Sequence, residues 1–96
     1  MSTTELESRL KVWCNRNQEV VKELSPVGGD RFKIVLKVTE QSGNLPFIDV
    51  YAQPGDKVVL QKGMYMGSKP GATFIKGPRF LRDEKQLDDS LKALLK

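Results

Sequence analysis

Six cations, Lys57, Lys62, Lys69, Lys76, Arg79 and Arg82, fall between residues 57 and 82 with no Asp or Glu among them, and Tyr65, Phe74 and Phe80 are interleaved. Ammonium and guanidinium groups neutralise phosphates, and aromatic rings receive unstacked bases at about 1–3 kcal/mol each. This alternation is chemistry suited to a single-stranded nucleic acid. Elsewhere acidic and basic residues nearly balance, so this segment accounts for the net charge of +4 and the pI of about 9.3.

Catalytic chemistry is poorly provided for. There is no histidine, the residue most used as a general base near neutral pH. Cys14 has no imidazole to activate it, and inside an amphipathic pattern it reads as a small packed hydrophobe rather than a nucleophile. A zinc site needs several Cys or His ligands at short spacing, which one cysteine cannot supply. Asp88 and Asp89 are helical neighbours that point in different directions, and Asp30, Asp49 and Asp56 read as solvated carboxylates at turns or on strands. The run Gly63-Met64-Tyr65-Met66-Gly67-Ser68-Lys69 fails as a phosphate loop: its lysine follows the serine, and Pro70-Gly71 stands where a helix must begin. The expectation is a non-enzymatic protein with no catalytic residues, no metal and no cofactor.

The elements that position the cations follow from periodicity. Thr4 and Glu7 form a T-x-x-E capping box, and Leu6, Leu10, Trp13, Asn17, Val20, Val21 and Leu24 recur at three- and four-residue steps. Together they predict one amphipathic helix from Glu5 to about Leu24, anchored by Trp13 and ended by Ser25-Pro26. Gly28-Gly29 predicts a turn. From Arg31 the period becomes two: Phe32, Ile34, Leu36 and Val38 on one face, with Lys33, Val35 and Lys37 on the other. Further strands follow over residues 45–52, 57–62, 64–66 with 73–76, and 79–82, separated by Gly- and Pro-containing turns. Gly63 reads as a bulge or bend. Asp83 and Gln86 cap a last helix carrying Leu87, Leu91, Leu94 and Leu95. The fold class is therefore α+β: an N-terminal helix, an antiparallel meander of about five short strands and a C-terminal helix. Such a meander forms a small curved sheet or a partly closed barrel of oligonucleotide-binding layout.

Ninety-six residues, 39% of them apolar, make a single domain spanning 1–96 with a thin core. No apolar run approaches the roughly 20 residues that cross a bilayer, and no secretion signal is evident, so a cytoplasmic location is expected.

Placing Ile48 and Val50 in the core brings Phe47 and Tyr51 beside Lys33 and Lys37 on the opposite face. Those rings are either a ligand platform or, if each helix covers one face, a second layer of core. Met64-Tyr65, the Ser68-to-Gly71 turn and residues 73–76 predict a basic hairpin with Lys69 at its tip and Lys62 and Lys76 near its base. The nucleic-acid-binding set is thus Lys33, Lys37, Phe47, Tyr51, Lys62, Tyr65, Lys69, Phe74, Lys76, Arg79 and Arg82, for single-stranded DNA or RNA. The rival class is a protein-interaction module docking on an acidic partner surface. A homodimer is compatible with either, and a membrane is not expected, because the cations lie on strands and turns rather than along an amphipathic helix.

Overall fold

In the computed structural model, which describes residues 3–37, 45–54, 57–65, 71–81 and 85–95, helix α1 spans Thr3–Arg16 and buries Leu6, Leu10 and Trp13. Glu5 in its first turn and Arg16 in its last complement the helix dipole. The Thr3 hydroxyl donates to the Asp30 carboxylate, tying the helix start to the first hairpin turn.

The helix stops well short of Leu24. Asn17 turns its amide back to the Trp13 carbonyl at 2.8 Å, and the amides of Val20 and Val21 both return to the Asn17 carbonyl, at 3.0 and 2.9 Å. This closes a tight turn, after which the β-branched pair favours extended backbone. Strand β1, Val21–Gly28, takes over the last turn of the expected helix, Val21 to Leu24, and continues through Ser25-Pro26 to the expected glycine turn. Val21 still enters the core, with Val20 and Leu24 packed against it, so the three- and four-residue spacing survives although the element changes. Pro26 is tolerated because β1 is an edge strand.

Strands β2 (Arg31–Leu36), β3 (Leu45–Gln53), β4 (Lys57–Tyr65) and β5 (Ala72–Leu81) complete an antiparallel sheet in the order β1-β2-β3-β4-β5, followed by α2 (Lys85–Leu94). The curved sheet is open, with β1 and β5 at its two edges. The expected α+β layout is present, but the five strands differ from those expected: β1 is added, and residues 73–76 and 79–81 are one strand. That strand passes through a cis Gly77–Pro78 peptide, with Gly77 at φ +94°.

Both helices lie on one face. Phe32, Ile34 and Leu36 of β2, Ile48 and Val50 of β3, Val58 and Leu60 of β4 and Leu81 of β5 pack with Leu6, Leu10 and Trp13 of α1 and Leu87, Leu91 and Leu94 of α2. Each fully buried leucine or isoleucine contributes about 1.5–3 kcal/mol relative to exposure. The alternative in which each helix covers a separate face is therefore overturned. Among the described residues no helix is long and apolar enough to cross a membrane.

Candidate nucleic-acid interface

Strand alternation and register fix what the helix-free face carries. Arg31, Tyr51, Val59 and Phe80 pair in succession across β2, β3, β4 and β5. Lys33, Asp49 and Gln61 form the next row, and Val35, Phe47, Gly63 and Phe74 the one after it. Tyr65 follows Gly63 on the same side of β4. Val35, Phe47 and Val59 are buried here without belonging to the helix-side core, so this face has a shallow apolar floor of its own.

Phe47 is the centre of that floor. Its ring, 2% exposed, meets Tyr65 with centroids 4.9 Å apart and Phe74 edge-on at 6.1 Å. Lys33 extends its ammonium over both Phe47 and Tyr65, 5.0 and 4.7 Å from the ring centres, and donates to the Tyr65 hydroxyl. Cation–π contacts of this kind contribute about 0.5–1 kcal/mol when exposed and more when desolvated. The expectation that Lys33, Phe47 and Tyr51 share one surface holds, but Phe47 lies beneath its neighbours. The accessible rings on this face are half-buried Tyr51 and Tyr65, with Phe74 at 51% and Phe80 at 63% exposure.

Three functional candidates escape the sequence reading. Asp49, expected to be solvated, is 5% exposed, with one carboxylate oxygen 3.6 Å from the Arg31 Nε and the other accepting from the Gln61 amide at 3.3 Å. Arg31 in turn holds its guanidinium over the Tyr51 ring, 4.8 Å from the centroid. Parity alone puts Arg31 with Lys33, and Asp49 with Phe47 and Tyr51. Which of them meet depends on the β2–β3 and β3–β4 registers, for which no short-range signal exists.

The remaining cations divide between faces. Lys62 lies opposite Lys76, and Arg79 opposite Leu60, so by register these three belong to the helix-bearing side of the β4–β5 ribbon. The ammonium of Lys62 is held below the ordinary lysine range, first by partial burial and then by the charge of Lys76. Lys37 is exposed just past β2, its backbone amide bonded to the Val20 carbonyl. Lys69 and Arg82 lie outside the described residues.

The edge strand β5 carries both chemistries. Residues 73–80 are all exposed and include Phe74, Ile75, Lys76, Arg79 and Phe80. Its pairing with β4 shifts register on both sides of Lys62, and Pro78 has no amide hydrogen to offer. Bulges, proline and lysine are devices by which sheet edges discourage an added strand. What β5 presents is therefore a row of side chains more than a template for backbone pairing.

Comparison with protein-family models, curated proteins and solved structures finds no match.

Proposed function

We propose that this protein binds single-stranded nucleic acid on the helix-free face and around the β5 edge. The observation that carries the reading is Phe74 and Phe80, both more than half exposed, on a strand that also presents Lys76 and Arg79 and is interrupted against partner strands by Gly77–Pro78. Large apolar rings exposed to water suit a ligand with flat apolar faces. Bases stack on Phe74, Phe80 and the accessible side of Tyr65, while Lys33, Lys76 and Arg79 follow phosphates, with Lys62 and Lys37, and by their charge Lys69 and Arg82, adding to the field. Unpaired strands are favoured over duplex because rings can only be reached by bases that are splayed out.

Fluorescence anisotropy with single- and double-stranded oligonucleotides across a salt series tests this. If about four cations each neutralise one phosphate, log K against log salt slopes near −3 for single strands. Saturable single-strand binding with that slope is the expected result. A flat salt response, or tighter binding to duplex, counts against it. Formation of one stoichiometric complex with an acidic protein, without oligonucleotide affinity, supports the interaction-module reading instead, for which the exposed Ile75 beside Lys76 supplies an apolar contact.

A further inference from the structure

Asp49 sits oddly on this face. It is an almost fully buried carboxylate on the one surface where a polyanion is expected, flanked in its own strand by Ile48 and Val50, opposite Lys33 on β2 and Gln61 on β4, and in a row between those that carry buried Val59 and buried Val35 and Phe47. Burying a charge costs several kcal/mol of desolvation that pairing rarely repays in full, and an apolar residue of similar volume is commonly as stable or more so. Stability therefore gives a poor account of an acid at this position.

Its geometry gives a better one. One carboxylate oxygen is fixed by the Gln61 amide, and the other faces the Arg31 Nε. The guanidinium is thereby restrained at its Nε by Asp49 and lies over the Tyr51 ring, while the Arg31 side chain as a whole remains half exposed. A free surface arginine loses about 2 kcal/mol of rotamer entropy when a ligand immobilises it; one already held in place loses less. Guanidinium planes are also among the surfaces on which unpaired bases stack.

We infer that Asp49 is a positioning residue that holds Arg31 over Tyr51, so that an unpaired base stacks on the outer side of the guanidinium. This rests on the nucleic-acid reading and adds a stacking station on β2–β3, away from the rings of β5. Arg31 touches the ligand; Asp49 acts only through it.

The sign of a single charge change separates this from a purely structural role. Asp49→Asn keeps the shape and the bond to Gln61 while removing a negative charge, so on Coulombic grounds alone affinity for a polyanion rises. If Asp49 positions Arg31, affinity falls, by roughly threefold to tenfold. Oligothymidine of about ten nucleotides, within the usual site size for single-strand binders, and a length-matched oligonucleotide with abasic sites are titrated by anisotropy against the unaltered protein, Asp49→Asn, Arg31→Gln and the double variant. The expected result is weaker binding of oligothymidine by Asp49→Asn, with no weakening, only the slight Coulombic gain, for the abasic strand and for Asp49→Asn once Arg31 is Gln. Arg31→Lys leaves the charge in place without the plane and weakens binding in the same base-dependent way, which keeps the test open should Asp49→Asn not fold. Unchanged or tighter binding of oligothymidine by Asp49→Asn overturns the inference while leaving the reading intact, as does equal weakening for both oligonucleotides. No binding by the unaltered protein at any salt overturns the reading itself, and the inference with it.

Discussion

The ring of Phe47 rests directly on Gly63 across the β3–β4 pair, so closely that a Cβ at position 63 would stand 2.5 Å from Cζ and 2.9 Å from Cε1. Glycine is required there because the ring uses the space, and β4 keeps its regular pairing with β3 straight through the position. The irregularity expected at Gly63 lies on its other side, where the β4–β5 register shifts between Lys62 and Gly63.

Gly63→Ala is consequently expected to destabilise the fold by about 1–3 kcal/mol, the usual range for overpacking. The ring cannot swing aside cheaply, since Lys33, Tyr65 and Phe74 close around it. Urea unfolding measures the change, and a loss below about 0.5 kcal/mol would mean that the floor of this face is loosely packed.

Phe80→Ala separates platform from core. With Phe80 63% exposed, its removal should change stability by no more than about 0.5 kcal/mol, the ordinary range for surface substitutions. Binding of a single-stranded oligonucleotide should weaken by about 1–3 kcal/mol if the ring stacks a base. Phe74→Ala should cost more stability, because its ring also meets Phe47 edge-on. Paired thermal unfolding and anisotropy on both variants check this; binding retained by the double variant would remove β5 from the site.

Elements with one dominant local signal were legible in the sequence. The Leu87, Leu91 and Leu94 spacing gave α2, and the alternation from Phe32 to Leu36 gave β2 with its buried face. Helix α1 was legible only as far as Asn17, because Val20, Val21 and Leu24 meet the same core from a strand that they would meet from a helix. At the site, alternation placed Lys33, Phe47 and Tyr51 together correctly. It could not place Lys76, since the register shifts in β5 break the period of two that the inference needs: Phe74 meets Phe47 on one face while Lys76 pairs with Lys62 on the other. Asp49 was misread for a different reason. The rule that lone carboxylates avoid interiors ignores a second, shallower layer in which an arginine and a glutamine from neighbouring strands can hold one.

Alkaline pH should expose the environment of Cys14, whose thiol is pushed up to about 11 by burial. The folded chain then holds a proton that the unfolded chain releases near the ordinary thiol value of 9.0, so stability from this group is complete below pH 9 and declines as pH rises toward 11. Lys62 works in the opposite sense: its depressed value means that the unfolded chain binds the extra proton, and its contribution grows as pH rises toward 10.5. Cys14→Ala should therefore flatten the loss of Tm between pH 9 and 11 relative to the unaltered protein. The same burial predicts slow reaction of Cys14 with a disulfide reagent at pH 8 until denaturant is added. Rapid labelling of the folded protein would contradict it.

Lys62 and Lys76 offer the sharpest contrast between stability and binding. Like charges placed directly opposite on neighbouring strands destabilise a sheet by about 0.2–1 kcal/mol, and this register pairs two lysines. Lys76→Gln should accordingly raise stability by a few tenths of a kcal/mol and return the Lys62 ammonium toward the ordinary lysine range, both readable by thermal unfolding and by NMR titration of the lysine side chains. If the pair contacts phosphate, the same substitution should weaken single-strand binding and make the salt slope shallower by about 0.7. A variant that becomes more stable while binding with an unchanged slope would leave the lysine pair outside the site, and would confine the ligand to the face that carries Arg31, Lys33 and the exposed rings.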